Sequence, residues 1–217
     1  MPEREIIALF PLGVVLLPGL PLPLHIFEER YKQMVEQCLA SGDVFGMVAY
    51  TGSRIQSAGC TAVITEVLKR YEDGKLDIMT VGQRRFVIVE TDESKAYLQA
   101  TVEYFDDDEK EEELDDRDRE LALKGLILHN ELSRLLGAES AHEGAVELGE
   151  ISFVLAGTQG FSLEEKQMFL EMRSVRKRLR KAVPALEKLI ERLKLTLEIK
   201  RIIGGNGHPP AILGERE

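Results

Sequence analysis

The chain has 217 residues, of which 44% are hydrophobic and 30% charged, and its formal net charge is −10. This length supports one compact domain or two small lobes with a common interface, and the composition excludes collagen-like, low-complexity and wholly disordered chains. No apolar stretch approaches the ~20 residues of a membrane span. The opening Met1-Pro2-Glu3-Arg4-Glu5 is polar and acidic, unlike a secretory signal. Two cysteines, Cys38 and Cys60, suit a reducing compartment rather than a disulfide framework, so the expected location is cytoplasmic.

The first half reads as β structure. Ile6 to Phe10 opens it, and Pro11, Pro18, Pro21 and Pro23 then punctuate the chain. Proline cannot donate to a sheet ladder, so this stretch should follow an edge or change direction repeatedly. Tyr31, Met34, Val35, Cys38 and Leu39 have the spacing of one helical face, which predicts an amphipathic helix over Glu29 to Ala40 stopped by Ser41-Gly42. Strands are expected at Phe45 to Tyr50, Cys60 to Arg70, Lys75 to Val81, Arg85 to Glu90 and Tyr97 to Phe105. Asp73-Gly74 is a hairpin-turn signal. Five or six short strands with one inserted helix suggest a small, partly closed barrel.

The second half reads as helical. Asp115-Asp116 supplies capping residues for a helix with Leu121, Leu128, Leu132, Leu135 and Leu136 as its stripe, stopped by Gly137. A loop over Ala138 to Gly144 and a shorter helix over Ala145 to Ala156 follow. Ser162-Leu163-Glu164-Glu165 is a capping-box pattern. It should open a long helix that Pro184 kinks or splits near Ala182. Leu186, Leu189, Ile190, Leu193 and Leu197 carry an apolar stripe to about Ile203. The expected organisation is α+β: residues 1–115 a β lobe, 116–203 a helical lobe, and 204–217 a mobile tail.

Charge is unevenly spread. Residues 106–120 hold eleven acids and three bases, and residues 173–201 hold eleven bases and three acids. The simplest expectation is two solvated faces attracting each other weakly across water. The alternative is a basic helix offered to an acidic partner.

No catalytic constellation emerges. His25, His129, His142 and His208 sit in unlike contexts, and there is no C-x-x-C, H-E-x-x-H, G-x-S-x-G or phosphate-loop pattern, so neither a metal nor a cofactor is expected. His25 with Glu28 and Glu29 reads as a strand end beside a helix start rather than a ligand cluster. Cys38 belongs to the helix's core face; Cys60 could be exposed but has no identifiable base. The feature that stands out is apolar: a leucine- and proline-rich segment from Leu9 to Leu24. Proline-stiffened apolar loops bind extended peptides at low entropic cost, although most of these leucines are expected in the core.

These residues carry a family pattern. Leu9-Phe10-Pro11-Leu12-Gly13-Val14-Val15-Leu16-Leu17-Pro18-Gly19 and Leu22-Pro23-Leu24-His25-Ile26-Phe27-Glu28-Glu29-Arg30-Tyr31 resemble the N-terminal substrate-binding domain of Lon proteases. Phe45-Gly46-Met47-Val48, Asp73-Gly74-Lys75-Leu76, Val81-Gly82-Gln83-Arg84-Arg85-Phe86, Phe161 to Gln167 and Arg178-Leu179 continue the likeness to about residue 200. The resemblance implies a PUA-like β-barrel lobe followed by an α-helical bundle with a long C-terminal helix. It also implies recognition of unfolded or exposed apolar polypeptide segments. The ATPase and serine–lysine protease modules of full-length Lon have no counterpart in these residues, so the expected likeness is to stand-alone proteins of this type.

The leading expectation is therefore a non-enzymatic polypeptide-binding module, an adaptor to a protease or chaperone. Its candidate site residues are Leu12, Val15, Leu17, Leu20, Leu22, Phe27 and Tyr31, with Arg84 and Arg85 flanking a hairpin. One of those arginines is expected to pair with Glu28 or Glu29. Self-association through the C-terminal helix is a further expectation. RNA binding by a PUA-like barrel is the first alternative, supported by the basic helix but opposed by the net charge and the scattered tyrosines. An enzyme with an inter-lobe cleft is the second. No membrane partner is expected.

Overall fold

The computed structural model describes residues 4–52, 54–137 and 147–205. Among these residues six strands and five α-helices follow one another: β1 (Arg4–Leu12), β2 (Pro21–Ile26), α1 (Glu29–Ser41), β3 (Phe45–Tyr50), β4 (Ile55–Arg70), β5 (Leu76–Asp92), β6 (Gln99–Phe105), α2 (Asp116–Leu136), α3 (Leu148–Ala156), α4 (Leu163–Glu171) and α5 (Val175–Gly205). The fold is α+β, a barrel-like sheet followed by packed helices.

The strand order is β2-β5-β4-β3-β1-β6, with β5 also pairing β6. β5 makes this possible by its length. Its first half holds β2 (Leu24 opposite Ile78) and its second half holds β6 (Ile88 opposite Val102), while β4 runs along most of it. Lys75 to Val81 and Arg85 to Glu90 are therefore not two strands. Val81-Gly82-Gln83-Arg84 continues the ladder against β4, with Ala62 opposite Gly82 and Cys60 opposite Arg85. Bulges along β4–β5 bend the pair, which strong curvature requires. Five strands thus join in a ring, β5-β4-β3-β1-β6 and back to β5, while β2, whose prolines suit an edge, adds to the first half of β5 outside that ring, so the sheet as a whole is not strictly closed.

α1 buries Tyr31, Met34, Val35 and Cys38 and stops at Gly42, whose φ of 77° is the left-handed cap that glycine adopts without strain. α2 is capped by Asp115, whose carboxylate accepts from the amides of Arg117 and Asp118. Its seam differs from the expected leucine stripe. Ala122, Gly125, His129 and Leu132 are buried, and Leu136 is exposed. Gly125 has no room for a Cβ against Leu155 and Val183, so α2 approaches α3 and α5 closely.

The expected long helix from Leu163 is two helices. α4 ends at Glu171, Met172 is extended, and α5 starts at Val175 and runs without a break through Pro184. The proline is tolerated because it faces water, as does Arg180, whose carbonyl loses its helical donor and can be hydrated instead. α5 continues through Gly205, two residues past the expected end. The expected loop 138–144, residues 145–146 of the expected shorter helix, and the tail from residue 206 lie outside the described residues.

The main core crosses from sheet to helices without interruption. Phe10, Leu17, Ile26, Met34, Phe45 and Ile78 belong to the same buried cluster as Leu155, Phe169, Leu179 and Leu186. Both cysteines are buried and unbridged. The thiols of Cys38 and Cys60 are pushed up by burial, to about 11 and about 12 respectively. Cys60 is thus a core residue and not an exposed thiol.

Candidate functional site: an apolar groove and a buried ionic joint

The acidic and basic segments meet in direct contact rather than across water. Asp107 Oδ1 lies 2.8 Å from Arg85 Nη2, and its Oδ2 lies 2.6 Å from Arg178 Nη2. Arg178 is fully buried; its Nε donates to Ser152 Oγ at 2.8 Å and its Nη1 to the Met172 carbonyl at 2.8 Å. Arg85 also donates to the carbonyls of Leu170 and Met172, and both guanidiniums lie over the Phe153 ring. Burial alone would raise the Asp107 carboxyl; hydrogen bonds and charge from the two arginines outweigh it and hold it below the usual range. Around this joint, Arg173 faces Asp108, Arg176 faces Asp118, and Ser174 Oγ donates to Glu109. Much of the basic character at the start of α5 is thus spent on the chain's own acidic run.

This overturns the expected pairing of Arg84 or Arg85 with Glu28 or Glu29. Glu28 binds Arg30, Glu29 binds Lys32, Arg85 is buried at the joint, and Arg84 lies over the Tyr104 ring at 4.0 Å. Neither arginine flanks a hairpin, because both lie within β5. The acidic run hid Asp107: one carboxylate among eleven carries no mark in sequence of the partners it will meet.

The seven apolar candidates divide between two places. Val15, Leu17, Leu20 and Leu22 line a groove of about 360 Å³ between the leucine–proline loop and the start of α4. Leu12, Phe27 and Tyr31 line a separate cavity of about 340 Å³ where the ends of β1 and β2 lie unpaired with each other. Leu17 and Tyr31 are 1% and 7% exposed, so both are core residues and offer little surface to a ligand. Val15, Leu20 and Leu22 are partly exposed, and Phe27 is 58% exposed. The groove's other wall, Phe161, Leu163 and Lys166, comes from the helical half and was not among the expected site residues. Its sequence signals were the capping box at Ser162 and the family likeness over Phe161 to Gln167, and neither marks a groove wall.

The loop is held in place by backbone. Gly82 of β5 accepts from the Gly19 amide at 2.9 Å and donates to the Leu20 carbonyl at 3.0 Å, and Pro18 bridges to it. A side chain at residue 82 would strike the Leu17 carbonyl. Leu20 in turn rests on Gly157, which has no space for a Cβ. The groove is therefore set by two glycines rather than left to a free loop.

Elsewhere, His25 Nδ1 lies 2.6 Å from Asp77 Oδ1, and Tyr71 donates to Asp77 Oδ2 at 2.7 Å. Hydrogen bonds from His25 and Tyr71 hold the Asp77 carboxyl below its usual range. The cluster is solvated. Among the described residues no group of three His, Cys, Asp or Glu side chains converges as a metal site would. Among the described residues no helix is long and apolar enough to cross a membrane.

Residues 6–188 match the ATP-dependent protease La (LON) substrate-binding domain. The chain belongs to that family. Its Lon-type relatives include the Lon protease of Syntrophus aciditrophicus, 28% identical over 90% of this chain, and that of Paraburkholderia phytofirmans, 26% identical over 92%. The chain spans only about a quarter of the length of these relatives, 27% and 26% respectively. Among solved structures, the Lon N-terminal domain protein from Xanthomonas campestris superposes with a TM-score of 0.65 at 24% identity, covering 83% of this chain and 98% of that one. The N-terminal domain of Mycobacterium avium complex Lon protease gives 0.63 at 17% identity, covering 84% and 98%. These likenesses show the fold, a Lon N-terminal-type barrel with its helical partner.

Proposed function

We propose that this Lon-type domain is a non-enzymatic module that holds exposed apolar stretches of other polypeptides in the groove between the leucine–proline loop and α4. The observation that carries the reading is a preformed groove in which Val15, Leu20 and Leu22 are only partly buried, fastened through Gly82. Preorganisation lowers the ordering cost of binding, and an extended apolar segment is the ligand such a groove suits. The family match to a substrate-binding domain agrees with it. In this reading the protein acts in the cytoplasm, where two unbridged cysteines are stable, as an adaptor presenting clients to a protease or chaperone.

Anisotropy of a labelled, permanently unfolded protein titrated with this chain tests the reading, with the folded counterpart as control. Saturable binding to the unfolded form alone is expected. Val15→Asp and Leu20→Asp should each weaken it at least tenfold with little change in Tm, whereas Phe27→Asp, in the other cavity, should not. No binding by the wild-type protein, or loss only with Phe27→Asp, refutes the groove as the site.

A second reading concerns self-association through α5. From Lys194 to Ile202 the helix is exposed on all sides, and Leu195, Ile199 and Ile202 repeat at helical spacing while 59%, 47% and 58% exposed. Such a stripe suits a second copy of the same helix.

A further inference from the structure

Among the described residues that line the groove, Lys166 is the one ionisable side chain. It is partly buried, and burial pushes its ammonium down, with no neighbouring carboxylate acting to restore it. Among the described residues it makes no ion pair. Of the acids on the same helix, Glu165 accepts from the Ser162 amide and Glu171 from Gln167. A half-desolvated cation without a counter-charge is costly, and the cost falls when a ligand brings a carboxylate.

We propose that the groove takes the C-terminal end of an apolar polypeptide, whose last side chains lie against Val15, Leu20, Leu22 and Phe161 and whose α-carboxylate pairs with Lys166. The inference rests on the peptide-binding reading above. The groove's volume of about 360 Å³ lies at the low end of ligand pockets, roughly 300–1,000 Å³, and suits a chain end better than a strand passing through. A chain end also brings fewer backbone amides into an apolar site, and each unpaired amide carries a penalty. An Asp or Glu within a chain would have to bury amides on both of its sides to bring its carboxylate to the same place.

Three fluorescein-labelled hexapeptides with one leucine–valine sequence separate the cases. One has a free C-terminus, one is C-terminally amidated, and one is amidated with an internal aspartate. At neutral pH the free acid should bind about tenfold tighter than the amide, the scale of one charge-assisted hydrogen bond, and the internal aspartate should bind like the amide. Lys166→Gln should bring the acid down to the amide's affinity and leave the amide unchanged, while Lys166→Arg should retain the preference. Equal binding of acid and amide, both weakened by Leu20→Asp, overturns the terminal-carboxylate inference and leaves the groove reading intact. A preference that survives Lys166→Gln, or that the internal aspartate restores, also overturns the inference. Failure of all three peptides to bind overturns both.

Discussion

Asp107 serves two guanidiniums that come from opposite halves of the chain, Arg85 on β5 and Arg178 on α5. Removing one member of a buried ionic set leaves uncompensated charge behind, so Asp107→Asn should cost about 3–5 kcal/mol, read by urea denaturation. A loss under 1 kcal/mol would show that the carbonyls of Leu170 and Met172 suffice for the arginines. The joint also sets an acid limit. The Asp107 carboxyl is held below its ordinary value, so its contribution is present above the ordinary carboxylate pKa of about 3.9. It drains away as the pH falls through the lower folded value. Asp118, held down by its hydrogen bonds from Arg176, adds to the same window. Wild-type stability should therefore fall below about pH 4, and the curve for Asp107→Asn should be flatter there. Parallel curves would place the acid sensitivity elsewhere. The sequence shows both arginines and the aspartate, but a pairing across 71 residues has no periodicity to betray it.

At the scale of elements, local signals were legible wherever local chemistry decides. The α1 stripe, the Gly42 stop, the Asp115 cap, the Ser162 box and the Gly74 turn follow from backbone geometry within a few residues. The misplacements came where tertiary contacts override local preference. β5 continues past Gly82 because β4 offers a ladder on one side. The break expected at Pro184 falls at Met172–Ser174, where the Met172 carbonyl is engaged by both Arg85 and Arg178. Gly82 itself joins an element to the groove. Gly82→Ala should push the leucine–proline loop away from β5, cost about 1–3 kcal/mol as overpacking does, and weaken unfolded-protein binding. Unchanged stability and binding would show that the loop holds its place without this strap.

For the molecule as a whole, the question is what the exposed length of α5 meets. A helix with apolar residues on its open faces draws little stability from its own chain. Sedimentation velocity should show a concentration-dependent dimer, and Leu195→Asp combined with Ile199→Asp should give a monomer of unchanged Tm. A wild-type monomer at high concentration would leave the stripe without a role in self-association. The sequence by itself determined the α+β class, the order of most elements, the family pattern and the apolar character of the segment from Leu9 to Leu24, because composition, periodicity and capping are local properties. Only the tertiary structure decided which of those leucines are core and which line a groove. It also decided that Leu12 and Phe27 belong to a different cavity, and that Arg85 is structural while Lys166 faces apolar walls without a counter-charge. Burial and pairing arise when distant segments meet, and neither spacing nor residue type records which segments those will be.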